Sequence, residues 1–115
     1  MRRCLICPAA AGQSLAIGWT TRTLRAPVIY RSALGGGTAD TPAGEHRLCP
    51  TCSAWLPEHR DRMLPPAVLD GIEATVGAAD LHPATARRLR LELVGMVRHL
   101  AEALTQPGNT TPGPA

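Results

Sequence analysis

Four cysteines stand in two pairs of identical spacing, "CLIC" at Cys4–Cys7 and "CPTC" at Cys49–Cys52. Two cysteines separated by two residues fit a tight turn that offers both sulfurs to one ion. Two such turns supply four thiolates, enough to complete the closed tetrahedral shell of a structural Zn²⁺. Cys4, Cys7, Cys49 and Cys52 are therefore the expected metal ligands, with zinc as the expected ion. Iron, or an iron–sulfur cluster, stays open on the ligand set alone, because four cysteines also hold such a cluster. A thiol–disulfide centre needs only one pair at a helix start, so two identical pairs favour a shared ion.

The 41 residues between Cys7 and Cys49 must bring the two pairs together. "SLAIGWTTRTLRAPVIYRSAL" is rich in β-branched and aromatic residues, and Leu15, Ile17 and Trp19 alternate. It reads as one strand near 14–21 and another near 27–33, with Pro27 at a strand start or edge. "GGGTADTPAG", Gly35 to Gly44, is a loop by composition. It lacks the Gly-Lys-Ser/Thr that a phosphate-binding loop requires. "EHRL" is a third short strand. After Cys52 the residues enter a helix at Ser53 or Leu56, with Pro57 tolerated only in its first turn. Val68, Leu69, Ile72 and Val76 then recur at helical spacing, and "GAADLHP" marks a turn. Pro83 opens a last helix to about Leu104. Its apolar stripe Ala86, Leu89, Leu93, Met96, Leu100 and Ala103 steps by 3, 4, 3, 4 and 3. The expected class is small α+β, with a metal-stapled β-hairpin module at 1–63 and a helical hairpin at 64–105. The Pro- and Gly-rich tail at 106–115 is expected to be disordered.

This order resembles the four-cysteine zinc modules, the treble clefs and zinc ribbons. In a treble clef a first pair lies in a turn, a hairpin follows, and the second pair sits at a helix start. The helix signal behind "CPTC" favours that form over the ribbon. Ribbons commonly carry glycine after the second cysteine of a pair, and Pro8 and Ser53 stand there instead. Rubredoxin-type iron sites need aromatic neighbours, and the chain has only Trp19, Tyr30 and Trp55.

Composition explains why a staple is needed. Eighteen residues are alanine, phenylalanine is absent, and the large aliphatics cluster in the second half. A small unit with so little apolar bulk relies on a disulfide or a metal. The absence of an 18-residue apolar run excludes a membrane span. The start "MRRCLICPAAAG" is too short and too interrupted for a signal peptide. The expected location is the cytoplasm, where paired cysteines are metal ligands more often than structural disulfides.

All twelve basic residues are arginine, and the formal net charge is +3. Residues 1–66 carry eight arginines and four acids, whereas residues 67–115 carry four and five. Four thiolates with one Zn²⁺ reduce the formal charge to about +1, so the basic signal is weak. Within it, Arg22, Arg25, Arg31 and Arg47 flank the cysteine pairs and are the expected contacts to nucleic-acid backbone. The 86–104 stripe has apolar positions to spare for a protein partner or a second copy. The expected function is a nucleic-acid-binding or regulatory accessory protein, or else an adaptor that binds protein through its helices.

Catalysis is disfavoured. Treble clefs also host His-Asn-His nucleases, but no Asn lies between His46 and His59, and the chain's one asparagine is Asn109. His46 and His59 read as solvated residues near the metal, His82 as a helix cap and His99 as a helix-surface residue. Four cysteine ligands leave zinc no open position for water.

Overall fold

The computed structural model describes residues 2–7, 10–11, 18–32 and 37–114. Leu15 and Ile17 lie outside this range. The chain is small α+β, and the described residues form short antiparallel strands and three α-helices. β1 (Arg2–Arg3) pairs with β2 (Ala10–Ala11) around the first cysteine turn. β3 (Thr20–Leu24) and β6 (Gly44–Leu48) pair antiparallel, Thr20 opposite Leu48 and Leu24 opposite Gly44. β4 (Val28–Arg31) and β5 (Thr38–Thr41) form a second pair, Val28 opposite Thr41.

Together these four strands make one long hairpin with a break. Residues 25–27 on the outgoing arm lie against only 42–43 on the returning arm. Such a one-residue excess bends and twists a hairpin. Pro27 and Pro42 both fall at the break, where a missing N–H costs no ladder bond. The sequence reading finds the β character of this region but places its elements differently. Residues 14–17 of the strand expected near 14–21 lie outside the described residues, β3 begins at Thr20, and β5 lies inside the segment expected to be loop. Thr38 and Thr41 have strand propensity, which the surrounding glycines mask.

Behind the second cysteine pair, α1 (Pro50–Trp55) runs into a 3₁₀ turn at Leu56–Glu58. The helix starts at the pair itself, earlier than Ser53. Pro50 supplies a preset φ at its first position, and Pro57 opens the 3₁₀ turn. α2 (Pro66–Ala78) buries Val68, Ile72 and Val76, one face at four-residue steps. Asp80, at φ 48°, turns the chain into α3 (Pro83–Thr105). His82 caps α3, its Nδ1 accepting from Ala84 N at 3.2 Å.

Of the α3 stripe, Ala86, Leu89, Leu93, Leu100 and Ala103 pack on the core as partly buried residues, the wholly buried Ala101 and Leu104 lie beside it, and off-stripe Leu91 is exposed. α2 and α3 pack against each other. One contiguous core joins Cys4, Cys7, Cys49, Cys52, Trp55, Val68, Ile72 and Leu104. The helices thus share their core with the cysteine module. Among the described residues, no helix is long and apolar enough to cross a membrane.

The tail departs from the sequence expectation. β7 (Thr110–Pro114) pairs antiparallel with β3, Thr20 opposite Pro114 and Leu24 opposite Thr110. The three-stranded sheet has the order β6-β3-β7. Proline is tolerated on such an edge. Pro112 and Pro114 alternate with Thr111 and Gly113, which keep their N–H groups for the ladder.

Candidate metal centre

Five features aim the cysteines. Cys4 follows β1 and Cys7 precedes β2, so the short ladder closes the first turn. Leu5 N donates to Arg47 O at 2.8 Å, tying that turn to β6. Cys49 leaves β6 as the N-cap of α1, and its Sγ accepts from Cys52 N at 3.4 Å. Thr20 Oγ1 and Ser53 Oγ, 2.7 Å apart, fasten α1 to β3. Close approach also needs Gly18, which has φ 84°. A Cβ there would meet Pro50 Cγ at 3.0 Å.

The outcome is a compact sulfur cluster. The four Sγ atoms lie within 4.8 Å of one another, and Cys7 Sγ is 3.5 Å from Cys49 Sγ. A tetrahedral zinc site with Zn–S near 2.3 Å has sulfur–sulfur edges of roughly 3.8 Å. Cys49 N donates to Cys4 Sγ at 3.4 Å, a bond that favours a thiolate there. No disulfide joins these cysteines. All four are buried, Cys52 completely.

Electrostatics agree with a cation-binding role. The Cys4 thiol is pulled down to about 4, chiefly by the hydrogen bond from Cys52, with burial opposing. The Cys52 thiol is pushed up by the same shared proton and by burial. Sulfurs this close cannot all ionise alone. A divalent ion held by these four cysteines would replace the shared proton and satisfy every thiolate. The donors are all sulfur, and burial leaves no solvent-facing coordination position. The site fits a closed, structural ion.

No histidine joins this cluster. His46 Nε2 lies 2.7 Å from Pro42 O, four residues back on its own arm of the hairpin. His99 Nε2 lies 3.1 Å from Ile29 O and its ring meets Tyr30. His59, expected to be solvated, is 5% exposed and packs edge-on against Trp55. Its Nδ1 faces Leu56 O and its Nε2 faces Glu102 Oε2, each at 2.9 Å. Arg60 donates to the same carboxylate. Sequence reasoning missed this His59–Glu102–Arg60 clamp, because no local pattern links residues 43 apart.

Of the four arginines singled out above, Arg22 and Arg47 lie on one sheet, Arg31 on another, and Arg25 between them. Arg22 on β3 is half-buried, and its Nη1 donates to Leu104 O at 3.4 Å, at the end of α3. Arg47 on β6 is half-buried, with a buried Nη1. Arg25 follows β3 and Arg31 ends β4, both exposed.

Comparison with protein-family models, with curated proteins and with solved structures gave no match.

Proposed function

We propose that Cys4, Cys7, Cys49 and Cys52 bind one structural Zn²⁺ in a treble-clef-like module, and that the protein is a non-catalytic adaptor acting through its helical layer. The approach of four buried sulfurs to within 4.8 Å carries this reading. The treble-clef order is supported by the sequence of turn, long hairpin, second pair and helix.

The adaptor role is preferred to nucleic-acid binding because much of the arginine charge is engaged internally. Arg60 pairs with Glu102, Arg62 with Glu58 and Arg90 with Glu73. Arg22 and Arg98 donate to the carbonyls of Leu104 and His59. Such arginines are poor phosphate ligands without rearrangement.

Elemental analysis of protein purified under reducing conditions tests the first part. About one zinc per chain is expected, and Cys49→Ser should lose it. A folded, metal-free product overturns the reading, and bound iron reassigns the ion. Fluorescence anisotropy with labelled duplex DNA and RNA over a salt series tests the second part. Tight, strongly salt-dependent binding would replace the adaptor by the nucleic-acid reading.

A further inference from the structure

The tail strand β7 is built to end a sheet. In an antiparallel ladder, neighbouring residues send their N–H and C=O groups to opposite sides. Arg25 N donates to Asn109 O at 3.0 Å, immediately beyond the paired segments of β3 and β7. Counted in steps of two from that bond, Thr21 and Thr23 face β7, and Thr111 and Gly113 face β3. Thr110, Pro112 and Pro114 send their backbone groups outward. Proline has no N–H, so the outer edge of β7 has a donor only at Thr110. The strand pairs with β3 on one side and is closed to a further strand on the other.

The β3 edge beneath it receives this tail along its whole length, from Thr20 opposite Pro114 to Leu24 opposite Thr110. The segment brings further attachments to the end of α3. Asn109 Nδ2 donates to Ala103 O and Thr110 Oγ1 to Leu104 O. The same segment from a second molecule would meet the same groups. What ties the tail to its own chain is the turn at Gln106–Asn109, where Asn109 N donates to Gln106 O at 3.0 Å. Pro107 suits the second position of such a turn. A tail closed in this way meets its own β3 at an effective concentration of order millimolar, so the closed monomer prevails at micromolar protein.

We propose that the β3 edge is a docking surface for the tail of a second copy of this chain, and that the 106–109 turn sets the choice between a closed monomer and a tail-exchanged dimer. Exchange is reciprocal: each copy gives one tail and receives one. The outward prolines stop it there, because neither docked tail accepts another strand. Neither the metal centre nor the proposed adaptor role enters this pairing.

Deletion of Pro107 and Gly108 from the full chain tests the exchange, because it removes the turn and leaves the paired segment intact. At about 0.5 mM the shortened chain should be a dimer by light scattering, and roughly hundredfold dilution should return it to monomer. Amide exchange at Thr21 and Thr23 in that dimer should stay as slow as in the native chain, which should be mostly monomeric at the same concentration. A shortened chain that stays monomeric overturns the proposal. So does a dimer in which those amides exchange fast, or a native chain as dimeric as the shortened one. A second variant of the full chain, Thr111→Pro with Gly113→Pro, loses the N–H groups that face β3 and decides the matter if the shortened chain does not fold. A synthetic peptide of residues 107–115 at millimolar concentration should slow exchange at Thr21 and Thr23 several-fold in that variant. The same peptide carrying the two prolines should not. Equal effects of the two peptides, or none, overturn the docking surface.

Discussion

Glu102 illustrates what a single residue contributes outside the metal centre. Its carboxylate accepts from Arg60 and from His59 Nε2, joining α3 to the segment that follows α1. Arg60 first, and His59 second, hold its carboxyl down to about 2, against an opposing effect of burial. An unfolded glutamate titrates near 4.3. A carboxyl depressed on folding stabilises the fold above its unfolded value, and that contribution disappears as pH falls toward 2. Acid titration of stability should therefore be steep between about pH 4.5 and 2. Glu102→Gln should lower the Tm by a few degrees at pH 7 and flatten that limb. An unchanged acid limb in thermal melts would show that the clamp does not act in solution. The cysteine set was legible because the chemistry of each pair is local and their identical spacing is visible. The clamp was not, because its members meet only through the packing of α3.

At the scale of elements, the apolar periods were the readable part. The stripe of α3 and the face of α2 announce helices, and the structure packs both on the core as their spacing requires. Elements made by pairing rather than by pattern were not readable. β5 has three exposed residues of four and so carries no apolar alternation. β7 is "TTPGP", whose composition argues for disorder and whose order comes from β3. The tail also caps α3. Thr110 Oγ1 donates to Leu104 O at 2.9 Å and Asn109 Nδ2 to Ala103 O at 3.3 Å. Arg25 N donates to Asn109 O at 3.0 Å. Each such bond contributes about 1 kcal/mol net, so truncation after Gln106 should cost about 2–4 kcal/mol. That corresponds to a Tm lower by roughly 10–20 °C in a domain near this size. Hydrogen exchange at Thr21 and Thr23 on β3 should accelerate with it. Truncation without either effect would mean that the tail is no part of the fold.

The described residues share one core, to which the four cysteines and the helices α2 and α3 both contribute. Structural zinc supplies roughly 10–16 kcal/mol of apparent free energy. The net stability of a small domain is only about 5–15 kcal/mol. Removing the ion should therefore leave little net stability in the part it organises, which here includes Trp19 and Trp55, both buried beside the cysteines. The helices depend on it less directly, because Val68, Ile72 and Val76 lie in the same core as Leu104 and beside the α3 stripe. Chelation should consequently abolish the near-UV circular dichroism of the tryptophans and lower the Tm sharply. Part of the far-UV helical signal should survive at low temperature, and returning zinc should restore both. The sign of the difference between the two signals is the decisive quantity. If they vanish together in one transition, the helices have no stability apart from the ion. If both persist, the apolar core holds the N-terminal module without a staple, and four cysteines so close together would need another explanation.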